Sequence, residues 1–308
     1  MEKVIKIENL KKNFGNINAI DNISFNVAKG EMFGFIGPDG AGKTTTIRIL
    51  CGILKEFEGE VEIIGYNLKK SAEQIKRKIG YLSQEFSLYK DLTVDENIEF
   101  FAELHQIKDY EKRRKELLEF TKMGEFRNRK AKNLSGGMKK KLALACTLIH
   151  RPEIIFLDEP TNGVDPVSRR EFWEILAELL KSNVTIFLST PYIDEAERCS
   201  RVGMLNKGRL LGLDTPQNLK DGINQIIYEI ILSEVRKAYR KIKSIEQIND
   251  IQSFGDRVHL FLDDDKKNTR EKVMKKLKEE NIHFKSFEKI TPSLEDAFIY
   301  YLQNDKEE

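Results

Sequence analysis

Cysteine, tryptophan, proline and histidine are all scarce in this chain, which has 3, 1, 7 and 4 of them in 308 residues. Cys51, Cys146 and Cys199 are scattered, form no CxxC pair and give no even number for a disulfide framework. They read as small buried apolar residues of a reducing cytosol. A charge excess is missing too: 52 Lys+Arg against 50 Asp+Glu leave a net +2, which excludes the strong basic excess of a dedicated nucleic-acid binder. No apolar run approaches the roughly 18 residues of a membrane-spanning helix, and the longest, Leu142–Ile149, is interrupted by Cys146 and Thr147. Met1-Glu2-Lys3-Val4 alternates charged and apolar residues and lacks the apolar core of a signal peptide. An integral membrane protein and a disulfide scaffold are thereby excluded. What is present is a 40% hydrophobic, 33% charged chain, long enough for about two domains and expected to be soluble and cytosolic.

Residues 3–8 and 20–27 alternate as strands, and Met32–Ile36 is a continuous apolar run that suits a strand buried on both faces. A Gly-rich turn follows, then a helical stretch over Thr44–Leu54 that is expected to end at Gly52 or soon after. Strand signals return at Val61–Ile64 and Ile79–Leu82. From Thr93 to about Lys122 the pattern is helical, and Thr93 with Glu96 has capping-box spacing. Ser135 opens another helix. Ile154–Leu157, Val184–Leu188 and Val202–Leu205 are three more apolar strands separated by helical stretches. This alternation predicts an α/β domain on a mainly parallel sheet. The character changes near Asp221-Gly222, where a domain boundary is placed at about residue 222. Beyond it the order βαββαβ predicts a small ferredoxin-like α+β domain over 223–308. A last short helix is expected to start at Thr291-Pro292, with Pro292 at its first position.

Gly37-Pro38-Asp39-Gly40-Ala41-Gly42-Lys43-Thr44 matches G-x-x-x-x-G-K-[ST]. Such a loop turns backbone N–H groups toward phosphate oxygens at a helix N-terminus. Lys43 is expected to reach the β- and γ-phosphates, and Thr44 to offer its hydroxyl to Mg²⁺. Ile154–Leu157 ends in Asp158-Glu159. Asp158 at the strand tip suits the Mg²⁺ shell, and Glu159 is placed to take a proton from, or orient, an attacking water. A GTPase is excluded, because Asn206-Lys207-Gly208 is followed by Arg209 and the guanine-reading carboxylate is absent. That segment is read as a turn between strands.

With Leu134-Ser135-Gly136-Gly137-Met138, followed by Asp158-Glu159-Pro160-Thr161, residues 1 to about 220 resemble the ATP-binding subunit of ATP-binding-cassette (ABC) transporters. The resemblance implies a P-loop ATPase domain over 1–222 with a helical subdomain at about 86–150. It implies ATP and Mg²⁺ as ligands, with Gly37–Thr45 around the phosphates, Phe14 stacked on adenine, and Gln84 beside Thr44 and Asp158 sensing metal and γ-phosphate. Ser135, Gly136 and Gly137 would close over ATP bound by a second ATP-binding subunit, and Asp165 would communicate across that dimer. Phe86-Ser87-Leu88-Tyr89 is the implied contact for a membrane permease. Met138 departs from the usual glutamine of the signature.

A larger departure follows the strand Val184–Leu188. The family places there a histidine that bridges γ-phosphate, water and the catalytic glutamate; this chain has Pro191, which lacks any donor. Loss of one preorganised contact costs on the order of 3 kcal/mol, about a hundredfold in rate. Three outcomes are open: Thr190 or Tyr192 substitutes, Glu159 suffices alone for slow hydrolysis, or a second ATPase subunit supplies a complete site. Between Lys108 and Lys141, 13 Lys/Arg and 5 Asp/Glu give a local +8, read as a solvated helical face or, more sharply, as attraction to anionic lipid. Ile290–Phe298 is similar to the tail of ATPases that serve two-gene exporters, in which the permease is a separate chain. His259 and His283 are expected to be packing residues. The expected protein is an ATP-hydrolysing exporter subunit, peripheral on the inner face of the cell membrane through its permease, with no nucleic-acid partner. The alternatives are a binding-only or degenerate cassette paired with a second ATPase, and a soluble ABC factor outside transport.

Overall fold

The computed structural model describes residues 2–85, 88–263 and 266–305. The chain divides into two compact units, Met1–Thr215 and Pro216–Glu308.

In the first unit, β1 (Lys3–Phe14) and β2 (Ile17–Ala28) pair antiparallel. β3 (Met32–Ile36) has all its residues buried and leads through the Gly-rich loop into α1 (Lys43–Leu50). This helix ends at Leu50, just before Gly52, the expected stop, which turns to φ +65. β4 (Glu58–Ile63) and the short β5 (Tyr66–Asn67) complete an antiparallel sheet of order β2-β1-β4-β5. α2 (Leu68–Lys76) and β6 (Ile79–Leu82) follow. Next come three helices, α3 (Val94–Leu104), α4 (Tyr110–Phe120) and α5 (Gly136–Leu148). The helical pattern over 93–122 is thus two helices, with Gln106 and Asp109 at left-handed φ of 55° and 54° between them. Its predicted start holds, with Thr93 and Glu96 forming a capping box.

β7 (Ile154–Asp158), α6 (Pro166–Lys181), β8 (Thr185–Thr190), α7 (Ile193–Ala196), β9 (Arg201–Asn206) and β10 (Arg209–Asp214) finish this unit. The central sheet has the order β10-β9-β3-β8-β7-β6, parallel except for β10. Lys207-Gly208 is the turn joining β9 to β10, as the sequence suggested. Phe25, Phe33, Phe35, Phe156 and Phe187 lie between the two sheets, with ring centroids such as Phe33–Phe187 5.2 Å apart. Burying each such side chain contributes roughly 1.5–3 kcal/mol. The parallel register aligns Ile36 with Thr190 and Asp158 with Ser189, so three strand tips meet at one edge. That edge carries the phosphate loop.

The second unit runs α8 (Pro216–Asp221), β11 (Ile226–Leu232), α9 (Val235–Lys243), β12 (Asp250–Phe254), β13 (Arg257–Leu262), α10 (Lys267–Glu279), β14 (Phe284–Ile290) and α11 (Leu294–Asn304). Its sheet, β12-β13-β11-β14, is antiparallel and has βαββαβ connectivity. Ala238 and Ile242 of α9 and Val273 and Leu277 of α10 pack with it in one apolar cluster. Pro292 is not in the last helix. Ser293 is the N-cap, its hydroxyl and the Asp296 carboxylate forming a reciprocal capping box that outcompetes a start at the proline. Two histidine expectations change. His259 is buried but not merely packed: Nδ1 lies 2.7 Å from Asp296 Oδ1 and Nε2 3.4 Å from Glu229 Oε2. His283 is exposed and sits one residue before β14.

Candidate active site

β3 ends at Ile36 and the chain turns over Gly37–Gly42 before α1 begins at Lys43. The turn is steric as well as conformational. Gly42 has φ +105, and a Cβ there would lie 2.5 Å from the Ala19 carbonyl oxygen. Lys43 folds back under the loop, donating to the carbonyls of Gly37 (2.7 Å) and Pro38 (3.0 Å). The loop, from Asp39 through Gly40, Ala41, Gly42 and Lys43 to Thr44 and Thr45, lines a cavity of about 630 Å³. Phe14, Gln84, Glu159 and Pro191 line the same cavity. Phe14 ends β1, is 45% exposed, and has Lys12 Nζ 4.9 Å from its ring centroid.

Asp158 and Glu159 differ in their surroundings. Asp158, 1% exposed, accepts at Oδ1 from the Thr44 hydroxyl (3.0 Å) and the Ser189 hydroxyl (2.6 Å). Its Oδ2 is buried and has no hydrogen-bond partner among the described residues. A buried carboxylate oxygen without a donor is costly unless a cation faces it. The donor set Thr44 plus Asp158 therefore fits a hard cation such as Mg²⁺. Glu159 sits one residue beyond the strand with a left-handed φ of 47°. Its N–H donates to Ser189 O and Ser189 Oγ, both at 3.1 Å. Its Oε1 faces Lys43 Nζ at 3.6 Å, and Oε2 accepts from Gln84 Nε2 (3.0 Å) and Asn162 Nδ2 (3.2 Å). Gln84 lines the cavity with Thr44, but its amide nitrogen is directed at Glu159.

Ser135, Gly136 and Gly137 are not among the cavity's lining residues, nor is Asp165. Ser135 caps α5 by accepting from Met138 N at 3.2 Å, and Gly137 packs so closely on α6 that a Cβ would stand 2.2 Å from Ser168 Cβ. Asp165 caps α6, accepting from Ser168 N at 2.9 Å; these bonds hold its carboxyl below the usual carboxylate range. Phe86 and Ser87 lie outside the described residues. Tyr89 of the same segment is held by Asn97, which is fully buried and bonds both its N–H and its carbonyl.

Several residues of the site escaped the sequence reading. Ser189 is visible only through the β7–β8 register, and Asn162 through its placement three residues after Glu159. Lys140 Nζ donates to the Gln84 carbonyl at 2.7 Å, and burial lowers its pKa although Asp158 and Glu159 oppose this. Thr190, which the sequence did offer as a substitute for the missing histidine, is fully buried and gives its hydroxyl to Glu195 Oε2 at 2.6 Å. Glu195 itself is 1% exposed and also accepts from Thr161, Arg169 (2.6 Å) and Trp173 Nε1 (3.2 Å).

Residues 20–162 match the ABC transporter family. The chain is 40% identical over 221 residues to the probable multidrug ABC transporter ATP-binding protein YbhF of Escherichia coli K12, a match covering 71% of this chain and 38% of that protein. It is 34% identical over 253 residues to the linearmycin resistance ATP-binding protein LnrL of Bacillus subtilis 168, covering 80% of this chain and 81% of that one. The chain belongs to the ABC transporter ATP-binding family. As an ABC cassette it is a nucleotide-binding protein. Its fold agrees: a dimeric structure of a bacterial ABC transporter cassette superposes with TM-score 0.62 at 32% identity, over 68% of this chain and 98% of that cassette. The chain spans well under half the length of YbhF. Among the described residues, no helix of this cassette is long and apolar enough to cross a membrane.

Proposed function

We propose that this cassette is the ATP-hydrolysing subunit of an exporter, with its own phosphate loop and Glu159 forming a competent site. The observation that carries the reading is the meeting of Lys43, Thr44, Asp158 and Glu159 at one edge of a cavity of about 630 Å³ that Phe14 also lines. Phe14 offers a ring face to adenine, and the loop N–H groups and Lys43 offer positive charge to the phosphates. Thr44 and Asp158 would hold Mg²⁺, which when bound supplies neutralisation of phosphate charge. When phosphate takes Lys43, Glu159 Oε1 is released toward the cavity and accepts the proton of an attacking water. General base catalysis of this kind contributes about 10²–10⁴-fold.

The signature residues Ser135–Gly137 lie away from their own chain's cavity, so we assign them to the ATP of a second cassette in a closed dimer. One relative is named for multidrug transport and the other for linearmycin resistance, which supports export as the coupled process; a separate membrane permease is the partner this reading requires. Pro191 favours one second reading, a cassette that binds ATP and closes without turnover. The dimer is tested by size-exclusion chromatography of the Glu159→Gln variant. ATP should shift it from monomer to dimer and ADP should not; a monomer under both nucleotides overturns the closed-dimer reading.

A further inference from the structure

Two polar side chains of the cavity wall, Asn162 and Tyr192, have no part in the chemistry above. Asn162 sits in the turn after β7, where its N–H donates to the Glu159 carbonyl at 3.2 Å. Its Nδ2 donates to Glu159 Oε2 at 3.2 Å, the oxygen that Gln84 Nε2 reaches at 3.0 Å. A carboxamide has a donating and an accepting end. Asn162 serves Glu159 only with its NH₂ turned inward, since the reverse would set its carbonyl oxygen against a carboxylate. Tyr192 fits that orientation: its hydroxyl is 3.4 Å from Asn162 Oδ1, where a phenolic O–H can donate. That distance is long, as such bonds are before the reacting complex forms.

Tyr192 is itself held from two sides. The Arg169 guanidinium lies 4.5 Å from its ring centroid, and its N–H donates to Thr190 Oγ1 at 3.0 Å. Arg169 is fixed in turn by Glu195 (2.6 Å) and Asp194 (3.0 and 3.1 Å). Of the three consecutive residues 190–192, Pro191 has no donor, and Thr190, at the end of β8, is buried with its hydroxyl committed to Glu195. Tyr192 is the one whose polar end reaches the wall beside Glu159.

We propose that Tyr192 and Asn162 are positioning residues for Glu159. The Tyr192 hydroxyl orients the Asn162 amide, and that amide pins Oε2 so that Oε1 is presented to the cavity. The line Arg169–Tyr192–Asn162–Glu159 starts on α6, where Arg169 N donates to the carbonyl of the N-cap Asp165 at 2.9 Å. The inference rests on the reading of Glu159 as the base.

The test is steady-state Mg-ATP turnover and ATP affinity of the full-length protein, its Tyr192→Phe and Asn162→Ala variants, the double variant, and Asn162→Ser. Tyr192→Phe should lower kcat about 3–10-fold, with the ATP Kd within about twofold of the unmodified protein. Asn162→Ala should lower kcat further, and Asn162→Ser, which keeps a donor, should recover part of the loss. The double variant should be no slower than Asn162→Ala, because Tyr192 acts through Asn162. Unchanged kcat in Tyr192→Phe, multiplied losses in the double variant, or losses in Kd alone overturn the relay. If the unmodified protein binds ATP without turning it over, or Glu159→Gln is as fast, the hydrolytic reading itself falls. If Glu159→Gln is dead and Tyr192→Phe is normal, only the relay falls.

Discussion

Lys43 Nζ lies 3.6 Å from Glu159 Oε1, with the two side chains 4% and 8% exposed, so the cation and anion of the site face each other. Removing Lys43 leaves Glu159 buried without its cation and the Gly37 and Pro38 carbonyls without their donor. Lys43→Ala is expected to lower the stability of the nucleotide-free protein by about 1–3 kcal/mol. It should weaken ATP binding roughly tenfold to a hundredfold, the worth of one charge-assisted contact. Urea denaturation and ATP titration measure the two effects separately. A variant as stable as the parent would show that the pair contributes nothing.

Ser189 is fully buried and gives its hydroxyl to Asp158 Oδ1 at 2.6 Å. Ser189→Ala takes away that donor and leaves Asp158 oriented by Thr44 alone. A loss of about 1–3 kcal/mol is expected, together with a higher Mg²⁺ concentration for half-maximal ATP binding. A magnesium titration that overlays the parent's would contradict the assignment of Asp158 to the metal.

Glu195 ties together Thr161, Arg169, Trp173 and Thr190 from a buried position. Glu195→Ala should cost about 3–5 kcal/mol, because the partly buried Arg169 loses its closest counter-charge. The chain's single tryptophan donates to the same carboxylate, so its fluorescence should change with the substitution. Chemical denaturation followed by that emission reads both. Stability within 1 kcal/mol of the parent would sink the prediction.

The two units carry histidines of opposite sign. His150 stacks on His105, with centroids 4.0 Å apart and planes at 9°. Burial, then the His105 charge, pushes His150 down to about 4. The unfolded state, titrating near 6.5, therefore binds more protons between about pH 6.5 and 4. Stability of the first unit should fall over that window and level off below it. His150→Phe should flatten the slope. In the second unit burial alone would lower His259, but Asp296, by hydrogen bond and charge, holds it above its ordinary value. Its contribution is full below pH 6.5 and is lost as pH rises through the raised pKa. Denaturation at stepped pH, with His259→Phe as control, checks the sign; a first unit that gains stability on acidification contradicts it.

The phosphate loop, Asp158 and Glu159 could be read from the sequence because each is a local pattern: a glycine spacing, or a buried strand ending in carboxylates. β3, β7 and β8 were legible as uninterrupted apolar runs. What the sequence hid is set by register and by exceptions to propensity. Ser189 meets Asp158 through strand pairing across 31 positions, and nothing in a lone serine announces it. The break between α3 and α4 carries no glycine or proline; it rests on left-handed backbone at Gln106 and Asp109. Pro292 looked like a helix start until Ser293 and Asp296 capped each other. Pro191 was legible as a missing donor, whereas the position of Tyr192 against Asn162 needed coordinates.

On the proposed reading, this cassette hydrolyses ATP with Glu159 as base and without a side-chain donor at position 191. Its most direct measurement is phosphate release from Mg-ATP by the purified protein beside Glu159→Gln at matched ATP occupancy. The unmodified protein should turn over ATP, and the variant should be about 10²–10⁴-fold slower with nucleotide still bound. Equal rates in the two proteins, or no turnover in either while ATP binds, would contradict it.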